Sequence, residues 1–428
     1  MRTLLALITV VLLAAGASVA LGDRGRRGYE VWVVDQSNTN GKASGGAIHI
    51  YDRRRHLAER IDLGGAAESL CASQTGSAPV RPHMVFFNAA RTHAVLSYAA
   101  SGHVLFMDAE RREPVGCIDV GVQAHAAVPA PDESYVVVAN QNGKLLQRIG
   151  TDYRMNRFTL EPGAALDLAN GTTPSGAPRQ DPTLRPDNAP ICPIVDSSSR
   201  LSFVTLRGGG LFVVDGQATP MRIVAEYDKD TIHGNGCGGL EADGTMYVNS
   251  GGGTAANLSE FDVYAFSLRE LSTEPSPPNT PAPRLVVSQD DREHTDSHGA
   301  TLTKRGRYLW VADRSGNRIV VVDTQTDEVV EELSLTGPLS DDPSPDLLDV
   351  SPSGNRVFAS LRGSIPLSGD PHASTGSTPG LYVIRVTRGG RSGEIESIRR
   401  IANVDPAGVD HADPHGLRVR ALSPRWGG

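Results

Sequence analysis

Beyond its first twenty residues the chain has no apolar run of the roughly 20 residues that a helical membrane span needs. It also lacks an excess of basic charge, with 41 Lys and Arg against 49 Asp and Glu. An acidic chain without basic clusters is a poor partner for nucleic acid or an anionic membrane surface. There is no Cys-x-x-Cys-His segment for covalent haem, no phosphate-binding glycine loop and no Gly-x-Ser-x-Gly elbow. Gly234-x-Gly236-x-x-Gly239 spells a dinucleotide fingerprint but precedes a strand-like segment and reads as a turn, and Asp228-x-Asp230 begins like a calcium loop and fails at Ile232. Aromatics make up only 5% of residues while Gly (46) and Pro (28) abound, which argues for many short strands joined by turns rather than long helices.

What is present begins with Met1 and Arg2, an apolar run, the small residues Ser18-Val19-Ala20, and then Asp23-Arg24-Gly25-Arg26-Arg27. A basic start, a short apolar core and small residues before a polar stretch predict a cleaved secretory signal over 1–20 and a periplasmic or secreted mature protein, 21–428, without stable membrane insertion. The competing reading, an uncleaved anchor, is opposed by the shortness of the strongly apolar core, 4–15. Removing the signal removes one charge, Arg2, which leaves 40 basic residues against 49 acidic ones, a net of −9.

Short apolar runs with an acidic or polar end recur through the mature chain. Gly46-Ala47-Ile48-His49-Ile50-Tyr51-Asp52, His103-Val104-Leu105-Phe106-Met107-Asp108, Gly210-Leu211-Phe212-Val213-Val214-Asp215, Arg318-Ile319-Val320-Val321-Val322-Asp323 and Gly380-Leu381-Tyr382-Val383-Ile384-Arg385 are copies of one strand. Another strand precedes each, and a further one follows, as at 115–120 and 329–335. Four short antiparallel strands per unit predict an all-β chain folded as a seven-bladed β-propeller in one domain. Six units are complete. The N-terminal segment 29–64 supplies three strands without an inner partner, and 415–421 supplies one inner strand, so the seventh blade is expected to close the ring by pairing the two ends. Segments 163–190, 272–283 and 363–380, rich in Pro, Gly, Ser and Thr, read as long surface loops.

The hairpins carry a family likeness. Val350-Ser351-Pro352-Ser353-Gly354-Asn355-Arg356-Val357-Phe358, Tyr308-Leu309-Trp310-Val311-Ala312-Asp313 and Asp323-Thr324 resemble the repeats of YVTN-type seven-bladed propellers. That resemblance spans nearly the whole mature chain and implies a fold; the family hosts scaffolds, binding proteins and enzymes alike.

Laying the units in register exposes a ring. His83, His125, Cys192, Cys237, His298 and Asp346 each stand ten residues before an equivalent second-strand position, and His415 takes the seventh place. The first strand of each blade lines the central channel, so these side chains are expected at one channel mouth. Two residues upstream stand Arg81, Asp296 and Asp413; four upstream stand His233, His294 and His411. Converging imidazoles suit copper, and also iron or zinc, with Asp296 and Asp413 ligating, orienting the rings or moving protons, and Arg81 holding an anionic substrate. Because blades four, five and seven supply the upstream His, the metal is expected off-centre on that side. A single His at such a place more often satisfies backbone at the channel mouth, and Pro414-His415-Gly416 is similar to a turn found there in YVTN-type propellers.

The position of the cluster resembles the copper-bearing channel ends of propeller oxidoreductases such as nitrous oxide reductase and thiocyanate dehydrogenase. That resemblance implies imidazole ligands at His83, His125, His298 and His415, and it departs at Cys192 and Cys237, which stand in two of the blades. Four Cys in an exported chain invite two disulfides, in one of three connectivities: Cys71 and Cys117 fall in neighbouring outer strands or loops, Cys192 and Cys237 hold equivalent ring positions in adjacent blades where they could approach closely enough to bridge, and the alternative is thiolate ligands. The function expected is metal-dependent oxidation or reduction of a small molecule; the competing class is a non-catalytic propeller that binds a protein or envelope ligand.

Overall fold

The computed structural model describes residues 28–422 apart from 235, 253–258, 274–280, 290–292, 304–305 and 366–374. The expected signal segment, 1–20, lies outside the described residues, as do parts of the loops 272–283 and 363–380.

Strands group into seven antiparallel sheets. Blade one contains Pro82–Phe87, His93–Tyr98, His103–Asp108 and Glu113–Asp119. In blades two to six the innermost strands are Ala124–Pro129, Pro190–Val195, Gly239–Ala242, Ser297–Leu302 and Pro345–Val350, and each is followed outward by its neighbours in sequence order. Blade two carries an extra short strand, Leu166–Asp167. The seventh sheet joins the chain ends: Pro414–Ala421 lies innermost against Tyr29–Asp35, Ala47–Asp52 and Leu57–Asp62, with Tyr29 opposite Ala421 and Asp35 opposite Pro414. Gln36 N–H to Asp413 O (3.1 Å) and Leu422 N–H to Gly28 O (3.0 Å) extend the seam, so the ring closes by backbone pairing.

Period-two alternation explains the packing. In runs such as Val31-Trp32-Val33-Val34, alternate side chains serve the two faces of a sheet buried on both sides, and all four are fully buried. Trp310 is likewise buried and satisfies its indole N–H on Gly390 O at 2.8 Å. Truncating such a ring to Ala costs about 3–5 kcal/mol.

Two expectations need correction. Cys71 was expected in an outer strand or loop, but it sits in a helix, Ala66–Thr75, which ends on a left-handed Gly76. The segment 163–190, expected as surface loop, is exposed at 170–172 and 174–176 but is in part packed: Asn188 is fully buried and Arg185 nearly so, with Arg185 lying over the Phe212 ring and its guanidinium donating to Pro178 O and Arg179 O. These internal donors and acceptors replace the water that a polar loop would otherwise need.

Candidate metal centre

A β-bulge shapes the start of the inner strand in six of the seven blades. Pairing slips between Pro82 and Val85, Ala124 and Ala126, Pro190 and Pro193, Ser297 and Ala300, and Pro345 and Leu348, and opposite Val33 and Asp35 in the closing blade. Each slip falls at the ring position. An extra residue in one strand re-aims its side chain, which here sends the ring residues to the channel mouth. Glycine follows the His in two blades because the strands crowd there: a Cβ on Gly416 would stand 2.6 Å from His83 O, and one on Gly299 would stand 2.3 Å from Asp346 O.

His83 is the hub. Its Nε2 lies 3.0 Å from His415 Nε2 and 3.2 Å from His125 Nε2. The opposite nitrogen of each ring is already committed. His83 Nδ1 meets Gln36 Oε1 at 2.6 Å, and because the Gln36 amide nitrogen donates to Asp413 Oδ2, the amide oxygen must face the imidazole. His125 Nδ1 meets the carbonyl of Ile191 at 2.8 Å, and His415 Nδ1 meets Asp346 Oδ2 at 2.5 Å. Each acceptor requires N–H on Nδ1. In neutral rings, all three Nε2 atoms are therefore lone-pair atoms turned toward one another, an arrangement that a proton shared between rings or a metal ion would relieve. Burial and the surrounding His and Arg charges push His83 well below the ordinary imidazole value.

Asp346 anchors the other side. Burial alone would raise its pKa, but His415, His298 and Arg362 outweigh burial and hold it well below the usual carboxylate range. Its Oδ1 stands 3.1 Å from His298 Nε2 without hydrogen-bond geometry, so two buried polar atoms face each other with neither satisfied. The ligand atoms of His298, Asp346 and His415 lie within 4.8 Å of one another, and the rings of His298 and His415 are 5.6 Å apart. Blades five and seven thus come close enough to share an ion.

Arginines complete the surround. Arg362 donates from Nε and Nη2 to the two oxygens of Asp413 (2.7 and 2.8 Å) and from Nη1 to Asp346 (3.1 Å). Arg314 donates to Asp296 at 2.6 Å and approaches Asp346 at 3.5 Å. Burial raises the Asp296 carboxyl to about 6 despite Arg314. Asp296 and Asp413, expected to touch the imidazoles, instead bind these guanidiniums; Asp413 reaches His83 through Gln36. Arg81 is half-buried beside the field of Asp413, with a left-handed backbone.

The upstream histidines do not join the ring. His294 is exposed, His411 pairs with Asp405 at 2.9 Å, and His233 lies with Glu260 and Asp262. Each stands on the loop leading into its inner strand, and in blades five and seven that places His294 and His411 before the bulge. Cys192 and Cys237 are bridged, as are Cys71 and Cys117, so no sulfur is left as a thiolate ligand. Two disulfides fit a non-cytoplasmic protein.

Sequence reasoning overlooked Gln36, Arg314 and Arg362. A signal was available: each is the residue directly after the second strand of its blade, in blades seven, five and six.

No protein-family model matches the chain, and no curated protein matches it significantly. Solved structures do. The periplasmic gluconolactonase PpgL of Pseudomonas aeruginosa is 13% identical with a TM-score of 0.57, covering 92% of this chain and 100% of its own. A putative 6-phosphogluconolactonase from Bacteroides uniformis is 13% identical with a TM-score of 0.55 at the same coverage. The dihydro-haem d1 dehydrogenase NirN is 14% identical with a TM-score of 0.50, covering 91% of this chain and 74% of its own. At such identities the likeness is one of fold: the chain is a seven-bladed β-propeller, and the YVTN resemblance reaches no further than that.

Proposed function

We propose that the protein is a periplasmic or secreted propeller that holds a transition-metal ion, copper first and iron or zinc next, at its channel mouth, and that the ion serves oxidation or reduction of a small molecule. The observation that carries this reading is the set of three imidazoles with Nδ1–H committed and Nε2 lone pairs facing inward. Metal-bound His commonly donates its other N–H to a carboxylate or carbonyl in this way. Metal–nitrogen bonds of 2.0–2.1 Å with tetrahedral angles put neighbouring ligand nitrogens about 3.3 Å apart, near the 3.0 and 3.2 Å found at His83.

In this reading His83, His125 and His415 hold the ion, with His298 and Asp346 adjacent. A bound copper or iron would supply one-electron chemistry. Asp346 keeps Nδ1 of His415 protonated and its ring fixed, Gln36 does the same for His83, and Arg81 offers a cation to an anionic substrate. A non-catalytic scaffold for a protein or envelope ligand is the competing reading. Imidazoles turned outward, or paired only with backbone, would support it; His83 and His415 instead face each other.

Metal content of untagged protein, beside His83→Ala and His415→Ala, tests the proposal. The parent is expected to carry one ring ion that both variants lose. Equal, substoichiometric metal in all three folded proteins would remove it.

A further inference from the structure

A cavity of about 470 Å³ lies farther along the inner strands, away from the ring. Its lining includes Phe86, Leu302, Asp349, Val350 and Arg418, on the inner strands of blades one, five, six and seven, and Arg91 in the hairpin between the first two strands of blade one. Phe86, Asp349 and Arg418 each stand three residues after a ring residue, His83, Asp346 and His415. Residues three apart normally face opposite sides of a strand, but the bulge at the ring position adds one residue, so both sets of side chains turn the same way. At about 3.3 Å per residue the cavity stands roughly 10 Å from the imidazoles.

The cavity holds more positive charge than its own acid balances. The Arg418 guanidinium stands 4.4 Å from the centroid of the Phe86 ring, and its one hydrogen bond among the described residues goes to Leu417 O at 3.1 Å. A guanidinium has five N–H donors, so most are unspent. Asp349 forms no ion pair with Arg418 among the described residues; its two oxygens accept the backbone N–H groups of Val350 and Val419, each at 2.7 Å. Arg91 adds a second guanidinium without an acceptor among the described residues, on a left-handed backbone whose carbonyl accepts from Arg420 Nε at 3.0 Å. Two guanidiniums against one carboxylate leave the lining one positive charge in excess. Burial pulls the Arg418 pKa down, against the opposite pull of Asp349.

We propose that this cavity binds a small organic carboxylate, its anionic group on Arg418 and Arg91 and its apolar body against Phe86, Leu302 and Val350. Apolar walls with a few convergent polar groups are the usual form of a small-molecule site. A carboxylate accepts paired N–H bonds from a guanidinium and supplies the one negative charge that the lining lacks. Contact with Phe86 holds the Arg418 fork in place for it. The site does not rest on an ion at the ring.

Saturation-transfer NMR on chelator-treated full-length protein, with benzoate, phenylacetate and octanoate as probes, tests the inference. At least one probe is expected to bind while the neutral benzamide does not, and Arg418→Gln should weaken that probe about 10- to 100-fold through lost charged hydrogen bonds. Arg91→Gln should weaken it in the same direction, and it keeps the test open if Arg418→Gln does not fold, because the backbone contacts of that hairpin do not use the side chain. Binding of inorganic phosphate in place of all three carboxylates would overturn the assignment of ligand. Absence of binding by every probe, or binding unchanged in both variants, would overturn the site.

Discussion

Gln36 and Asp413 lie 377 positions apart in sequence and are joined by a 3.0 Å hydrogen bond from the Gln36 amide nitrogen to Asp413 Oδ2. The bond crosses the seam where the chain ends pair. It also fixes which end of the amide faces His83, so ring closure and the tautomer of a candidate ligand are set by one side chain.

Gln36→Leu should leave the fold in place but free the His83 ring to rotate or change tautomer. Losing such an orienting partner commonly lowers metal affinity about 10- to 100-fold. Competition titration with a chromogenic chelator reads this directly. An affinity equal to the parent's would mean that Gln36 is only a seam residue.

Arg362 is 1% exposed and neutralises Asp413 and Asp346 together. Arg362→Met removes the guanidinium that two buried carboxylates share, and breaking a buried pair from one side costs about 3–5 kcal/mol. Urea unfolding should show that loss, with partial recovery in Arg362→Met/Asp413→Asn, where one of the two charges is removed. A loss below about 1 kcal/mol, the scale of an exposed pair, would refute this account of the network.

His49 gives a dependence on pH far from the ring. It is buried in blade seven, and burial, aided by Arg60, lowers its pKa to about 4. Between pH 6.5 and 4 the unfolded chain binds a proton at this position that the folded chain refuses, so its contribution to stability falls as pH falls through that window. The full effect is about 3 kcal/mol from the size of the shift. His49→Leu should remove this increment, and the difference in unfolding free energy between variant and parent, followed from pH 7 to 4, should move in the variant's favour by that order. A constant difference across the window would contradict it.

The sequence by itself determined the repeat. Alternation in runs such as Arg318-Ile319-Val320-Val321-Val322-Asp323 is local physics, and the split of the seventh blade follows from counting strands, so sheets, closure and the ring register of His83, His125, His298, Asp346 and His415 were all legible. Tertiary structure alone decided what those positions do. Whether an imidazole at a ring position faces its neighbour depends on a bulge, and its tautomer depends on Gln36, Ile191 or Asp346, partners that lie 47, 66 and 69 residues away. His294 and His411 share a motif with His298 and His415 yet end at the rim, because four residues of loop and a bulge separate them from the channel. His233 meets Asp262 instead, 29 positions away. Such contacts are set by how blades pack around an axis, and a periodic pattern fixes the period of that packing without fixing which polar atoms meet across it.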